Sequence, residues 1–176
     1  MRFTHELGDG YALALRTLDT AEEMHALTMA NLDRLRRWEQ WALYEQSLEA
    51  TTAFTQAQLA SYVSGDVLPT VLLRGEVMIG SVSLRMDHAA RTAEIGYWVD
   101  AAAEGRGAVT RACSALLREA DARGIRRVEI RTTVDNVRSL RVAERLGFQR
   151  DAVLASAMPH GDERRDLAVY ARVTDG

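Results

Sequence analysis

One segment, running from Thr92 to Ala120, constrains the fold of this chain more than any other. Thr92 to Val99 alternates as a β-strand, and the loop Glu104-Gly105-Arg106-Gly107-Ala108-Val109-Thr110 follows. Val109, Ala112, Cys113, Leu116, Leu117 and Ala120 then recur at i, i+3, i+4, i+7, i+8 and i+11, the stripe of a helix packed on a sheet, and Gly124 ends it. A strand feeding such a helix is the unit of a layered α/β fold. The loop between them has the makings of an anion cradle. Its glycines let backbone pass close to a ligand, and the free N–H groups at the helix start, backed by about +0.5 charge of the helix dipole, favour a phosphate or pyrophosphate without any lysine. The competing reading is a turn whose glycines serve only positive φ. Two other phosphate motifs fail here: no Gly-Lys-Ser/Thr is present, and no third glycine stands near Thr110.

The remaining chain organises around that unit as one domain. At 176 residues it is about the length of a single domain, and it holds only two prolines, no Gly/Ser run and no repeat. Tyr11 to Leu18 alternates as a first strand. Thr20-Ala21-Glu22-Glu23 reads as a capping box, with Met24, Leu27, Asn31 and Leu35 at helical spacing behind it. Trp38 and Trp41 fall in a loop, a second helix runs from Leu48 to Ser64, and Gly65 stops it. Val67 to Leu73 and Val77 to Met86 form a hairpin about Arg74-Gly75-Glu76. Beyond the central helix, Val128, Ile130, Thr132 and Val134 alternate as a strand, and Asn136 to Leu146 forms a helix stopped by Gly147. Strands at Ala152 to Ala157 and Leu167 to Val173 flank a Pro159-His160-Gly161-Asp162 turn.

Composition narrows the partners. All 22 basic residues are arginine, scattered rather than striped, and net charge is -3, so direct nucleic-acid binding through a phosphate backbone is not expected. Cys113 is the only cysteine, which excludes an internal disulfide and a thiolate zinc cluster and points to a reducing compartment. Its place on the buried stripe marks it for packing. Met1 to Leu18 breaks every few residues at a charge or glycine, so no signal peptide or membrane span is expected and the protein reads as cytoplasmic.

Several stretches together resemble the GNAT N-acetyltransferase superfamily. They are the loop from Glu104 to Val109, the strand Glu94-Ile95-Gly96-Tyr97-Trp98-Val99 before it, Asn136-x-x-Ser139, and Glu144-Arg145-Leu146-Gly147-Phe148, in that family's order and spacing. Gly107 matches the family's loop signature, while Glu104 and Val109 depart from it. Leu15-Arg16-x-Leu18 and Asn31-x-x-x-Leu35-x-x-Trp38 are similar to the branch that acetylates ribosomal-protein N-termini. The resemblance implies a single-domain α/β fold over residues 1–176, with a mixed, mostly antiparallel sheet whose central parallel strands splay and are flanked by helices. It further implies direct transfer of acetyl from acetyl-CoA, as co-substrate and without a metal, to a primary amine such as a protein N-terminus, and a homodimer. The alternatives are a small-molecule amine acceptor or a non-catalytic acyl-CoA-binding module.

Carried over residue by residue, the resemblance places Trp98 and Val99 along the pantetheine. It sets Gly105, Arg106, Gly107, Ala108, Val109 and Thr110 on the pyrophosphate. Asn136 and Ser139, one helical turn apart, face the cofactor, with Ser139 the acid for the departing thiolate and Tyr170 in reserve; plain capping and a solvated serine are the competing readings. The place where the branch implies a glutamate base falls at Met158. Glu94 and His160 are the substitutes, or no single base is indispensable. An α-amine of pKa about 7.7–8.0 loses its proton at little cost near neutral pH, and lysine at about 10.4 does not.

Overall fold

The computed structural model describes residues 4–174. The first residues of the N-terminal segment read above, Met1 to Phe3, lie outside them. Among the described residues, eight strands form one sheet in the order β1-β2-β3-β4-β5-β6-β8-β7. The strands are β1 (Thr4–Gly8), β2 (Tyr11–Leu15), β3 (Val67–Arg74), β4 (Val77–Asp87), β5 (Thr92–Val99), β6 (Arg127–Thr133), β7 (Gln149–His160) and β8 (Glu163–Val173). The helices are α1 (Ala21–Ala30), α2 (Leu32–Leu35), α3 (Leu48–Val63), α4 (Ala108–Ala122) and α5 (Val137–Arg145). Every neighbouring pair is antiparallel except β5 and β6. That parallel pair is joined only at Thr92–Arg127, Ala93–Val128 and Glu94–Glu129. From Ile95 onward β5 has no partner on that side, so its backbone N–H and C=O groups border a gap.

The two faces of the sheet are built differently. Against one lies α4, burying Ala108, Ala112, Cys113, Ala115, Leu116, Leu117 and Ala120 in the larger apolar core, with Leu84, Ile95, Val128 and Ile130 from the strands. The expected helical stripe is thus the centre of the fold. Cys113 is fully buried within it, as expected, and burial pushes its thiol pKa well up. Against the other face lie α1 and α3, over a small core of Ala12, Ala14, Met24, Val71, Leu73 and Met78. Of the sixteen residues of α3, only Thr55 is buried.

Several sequence-based expectations are corrected. The chain forms β1 before the expected first strand; Thr4-His5-Glu6-Leu7-Gly8 is an exposed edge without apolar alternation, so periodicity did not mark it. The strand expected to reach Leu18 ends at Leu15, and Leu18–Thr20 winds into a 3-10 turn. The capping box begins at Thr17 rather than Thr20. Thr20 is buried and its hydroxyl donates to the Thr17 carbonyl at 2.7 Å, while Glu23 accepts from the Met78 backbone N–H at 3.0 Å. The first helix breaks at Asn31, whose side-chain amide donates to Leu27 O at 3.0 Å and whose Oδ1 accepts from Ala101 N at 3.1 Å, pinning the helix end to the loop after β5. The late turn tightens to Gly161-Asp162 as β7 and β8 extend past their apolar stretches.

Candidate active site

The gap between β5 and β6 opens into a cleft of about 1200 Å³ that runs from the start of α4 to the underside of α3. At its cofactor-facing end, Gly107 caps α4 with φ 78°, a left-handed conformation that disfavours side chains. The first bond of α4 runs from Arg111 N to Gly107 O at 3.0 Å, which leaves the N–H groups of Ala108, Val109 and Thr110 free for a ligand. Gly105, Gly107, Ala108, Val109 and Thr110 all line the cleft, but the Arg106 side chain does not, so any part it plays is through backbone. Those free donors and the unpaired β5 edge fit a pyrophosphate-bearing, amide-rich ligand.

Glu104, a departure from the family's loop signature, is not an isolated carboxylate. It accepts from Arg34 of α2 at 2.6 Å and also from Arg138 of α5, so two cations offset its charge. Arg34 further donates to the Val99 carbonyl and to Asn31 Oδ1. Arg34 and Asn31 thereby fix the far end of β5 to the junction of α1 and α2.

A second device positions β5. Gly80 on β4 sits where an added Cβ would lie 2.4 Å from the Trp98 carbonyl oxygen and 2.9 Å from the Val99 Cα. Only glycine lets β4 come this close. The pairing register shifts just before it, and Asp100 N donates to Ile79 O at 2.7 Å, continuing the contact past the strand end. Trp98 then packs against the small core and Val99 against the large one, and both line the cleft.

At the middle of the cleft the Tyr97 and Ser139 hydroxyls lie 2.8 Å apart, and Tyr97 also reaches the Ser139 carbonyl at 3.3 Å. Burial raises the Tyr97 pKa far above its ordinary value, with electrostatic interactions with Cys113 and Glu39 adding to the effect and the Ser139 hydrogen bond opposing it, so the phenol stays protonated. Asn136 lines the cleft, yet its Oδ1 caps α5 by accepting from Ser139 N at 3.4 Å, so its side chain is committed to helix capping. Tyr170 is buried away from the cleft with its hydroxyl donating to Glu144 at 3.1 Å, which removes it as the reserve acid. Tyr97, quoted in the strand motif and given no role, is the tyrosine the fold brings to Ser139.

The expected bases separate. Glu94 lines the cleft at the last position of β5 paired with β6, whereas His160 is buried at the end of β7, outside the lining. Met158 lines the cleft from the irregular stretch of β7. The group that the sequence did not reveal is Glu39. It lines the cleft just after α2, accepts from the Trp41 indole N–H at 3.0 Å, and is held above the ordinary carboxylate range by burial, which that hydrogen bond only partly offsets. Its sole sequence signal was a position between Trp38 and Trp41. Both tryptophans line the cleft, and at 39% exposure Trp41 is a wall rather than core.

Comparison with known proteins places these features in context. The family description "Acetyltransferase (GNAT) domain" matches residues 12–149. The ribosomal-protein-serine acetyltransferase of Escherichia coli is 31% identical over 154 residues, covering 86% of this chain and 86% of that protein. The solved structure of RimL, a ribosomal L7/L12 α-N-protein acetyltransferase, in complex with coenzyme A is 26% identical with a TM-score of 0.94, covering 98% of this chain and 99% of that one. The microcin C7 self-immunity acetyltransferase MccE, in complex with acetyl-CoA and AMP, is 28% identical with a TM-score of 0.91, over 96% of this chain and 94% of that one.

Proposed function

This chain belongs to the GNAT acetyltransferase family, and on that premise we propose that it acetylates the α-amine of a protein N-terminus, ribosomal proteins being the first acceptors to test. Acetyl transfer from acetyl-CoA is the family's activity and the chain's. Bound acetyl-CoA supplies a thioester whose carbonyl carbon takes the amine and whose sulfur leaves as thiolate. The observation that carries the mechanism is the cleft's three-part centre of Tyr97, Ser139 and Glu39.

Backbone N–H groups at the start of α4 hold the pyrophosphate, and those of β5 around Val99 meet charge on the reacting carbonyl oxygen. Glu39, its basicity raised by burial, takes the proton that the amine gives up as its nitrogen bonds to carbon. Tyr97 donates to the Ser139 oxygen, which frees the Ser139 proton for the departing sulfur. Glu94 remains the alternative base from the sequence, one strand face away. A thiol of pKa about 8.5 can depart as thiolate near neutrality and take its proton afterwards from water, so Ser139→Ala slows turnover without abolishing it. We further assign residues 1–176 to one N-acetyltransferase domain and place the enzyme in the cytoplasm, where its acceptors would be. The homodimer is also kept as a proposal, to be tested by sedimentation.

The test is CoA release on mixing with acetyl-CoA and an amine panel of N-terminal peptides, lysine side-chain analogues and small amines. Turnover of α-amine peptides supports the reading; turnover confined to small amines, or acetyl-CoA binding with no turnover, overturns it. The pH profile of kcat/KM then identifies the base. A rising limb fixed above the ordinary carboxylate range for acceptors of different amine pKa, and removed in Glu39→Gln, assigns the proton transfer to Glu39; a limb that tracks the acceptor shows that the amine loses its proton without it.

A further inference from the structure

The far end of the cleft, beneath α3, carries a cation with no counter-charge. Arg16 follows β2 and is buried to 7% exposure. Its backbone N–H donates to Pro69 O at 2.9 Å, its Nε donates to Thr55 Oγ1 at 2.8 Å, and its guanidinium lies 5.0 Å from the centre of the Phe54 ring. Among the described residues no carboxylate lies within ion-pair distance of it, and its two terminal nitrogens make no hydrogen bond. Arg16 lines the cleft and those nitrogens are not sealed off, so they face its interior. Burial without an acid lowers its pKa to about 10, which leaves it charged at neutral pH. A buried unpaired cation is costly in a finished core and is accounted for where an anion arrives with the ligand.

The surroundings say what kind of ligand that is. Arg16 continues the face of the sheet that carries Pro69, Ser81, Ser83, Gly96 and Trp98, all cleft-lining, under a helix that offers Thr51, Phe54 and Gln58. Arg85, also lining, stands two residues from Ser83 on the same face and directly across from Glu94 of β5, with which it makes no ion pair. At the opposite pole, beside the Tyr97 that meets Ser139, the acidic group is Glu39, which makes no ion pair among the described residues. The groove is therefore negative where an ammonium group must arrive and positive at its far end. Pro69 pairs with Ser83 and Ser83 with Gly96, so Arg16 lies three strand spacings from β5, about 14 Å, or the reach of about four extended residues.

Resting on the acetyl-transfer reading above, we propose that Arg16, assisted by Arg85, is a specificity site for the acceptor that binds a carboxylate side chain at the third or fourth residue of an acetylated N-terminus. A charge-assisted hydrogen bond in a water-poor groove is worth about 1.5–3 kcal/mol, which corresponds to roughly 10- to 100-fold in kcat/KM.

The experiment measures acetylation of paired peptides that differ only by Asp against Asn at positions two to six, with the unaltered enzyme and with Arg16→Gln and Arg85→Gln. The expected result is a preference of roughly 10- to 100-fold for Asp at the third or fourth position, weakened by added salt, collapsing toward one in Arg16→Gln and reduced in Arg85→Gln. The comparison in the unaltered enzyme, together with Arg85→Gln, decides the matter even if Arg16→Gln fails to fold. Equal rates for Asp and Asn at every position, with both peptides acetylated, overturn this proposal and leave the proposed function standing; turnover of neither peptide overturns the proposed function itself. AMP serves as a probe for a phosphate source: inhibition by AMP that depends on Arg16, with no discrimination among peptides, overturns the carboxylate assignment.

Discussion

The two faces of this sheet share the same strands and come to opposite ends. On the α4 face, alternate residues of β4, β5 and β6 meet seven buried residues of one helix in a largely apolar core. On the α3 face, the alternate residues are Ser81, Ser83, Gly96 and Trp98, and the helix above leaves Phe54 52% and Tyr62 39% exposed. One face is a core; the other is a roofed groove. The difference teaches that burial of one side suffices to hold the sheet, which frees the other to present hydrogen-bonding groups and uncompensated charge to a ligand.

The comparison breaks most sharply at Glu39. Glu39→Gln is expected to lower kcat/KM by about 10²–10⁴-fold, the usual contribution of a positioned base. The same change should raise the melting temperature at neutral pH. Its folded pKa lies above the unfolded value, so its contribution to stability is present below the unfolded pKa and lost as pH rises through the folded one, and glutamine mimics the protonated form. Melting curves at pH 4 and 7.5 check this; a gain only at the lower pH would contradict it.

Leu116→Ala, on the core face at 2% exposure, should cost about 2–5 kcal/mol in denaturant titration while leaving the KM for the acceptor near its starting value. Gly107→Val forces a β-branched residue to φ 78° and brings its Cβ to 3.3 Å from the Arg111 guanidinium. At about 1–2 kcal/mol of backbone cost it should weaken acetyl-CoA binding by about tenfold or more in calorimetry of the folded variant. Unchanged affinity would remove the loop from cofactor binding. The smallest effect is expected on the groove face, where Phe54→Ala should change stability by less than about 1 kcal/mol yet shift acceptor KM, the reverse of the Leu116 pattern.

These contrasts also explain what could be read from the sequence. The α4 side announces itself because Ala112, Cys113, Leu116, Leu117 and Ala120 obey one period and Gly107 and Gly124 punctuate it. The strands β3 to β6 follow for the same reason. The groove side has no period to detect: α3 buries a threonine, and Glu39 and Arg16 gain meaning only from neighbours 58 and 39 residues away, Tyr97 and Thr55. Gly80 was equally silent, since the backbone it meets belongs to another strand. Ser139, Asn136 and the glycine loop were legible as a set because their spacing is local. What each touches was less so: capping was one of two readings for Asn136, and Arg106, expected on the pyrophosphate, does not line the cleft.

The three-residue joint between β5 and β6 bears on how the molecule assembles. Strands β1 to β5 pair in chain order, and β6, β8 and β7 form a second antiparallel group, so the sheet consists of two antiparallel halves. Only three residue pairs hold the two halves together, which makes that joint the most readily opened seam of the sheet. During synthesis the first group can be complete before β6 leaves the ribosome, with the free edge of β5 paired only once β6 arrives. Because the cleft has one wall in each group, it exists only after they meet. Acetyl-CoA therefore selects the fully joined molecule, and by mass action it should protect that joint above all others from hydrogen exchange.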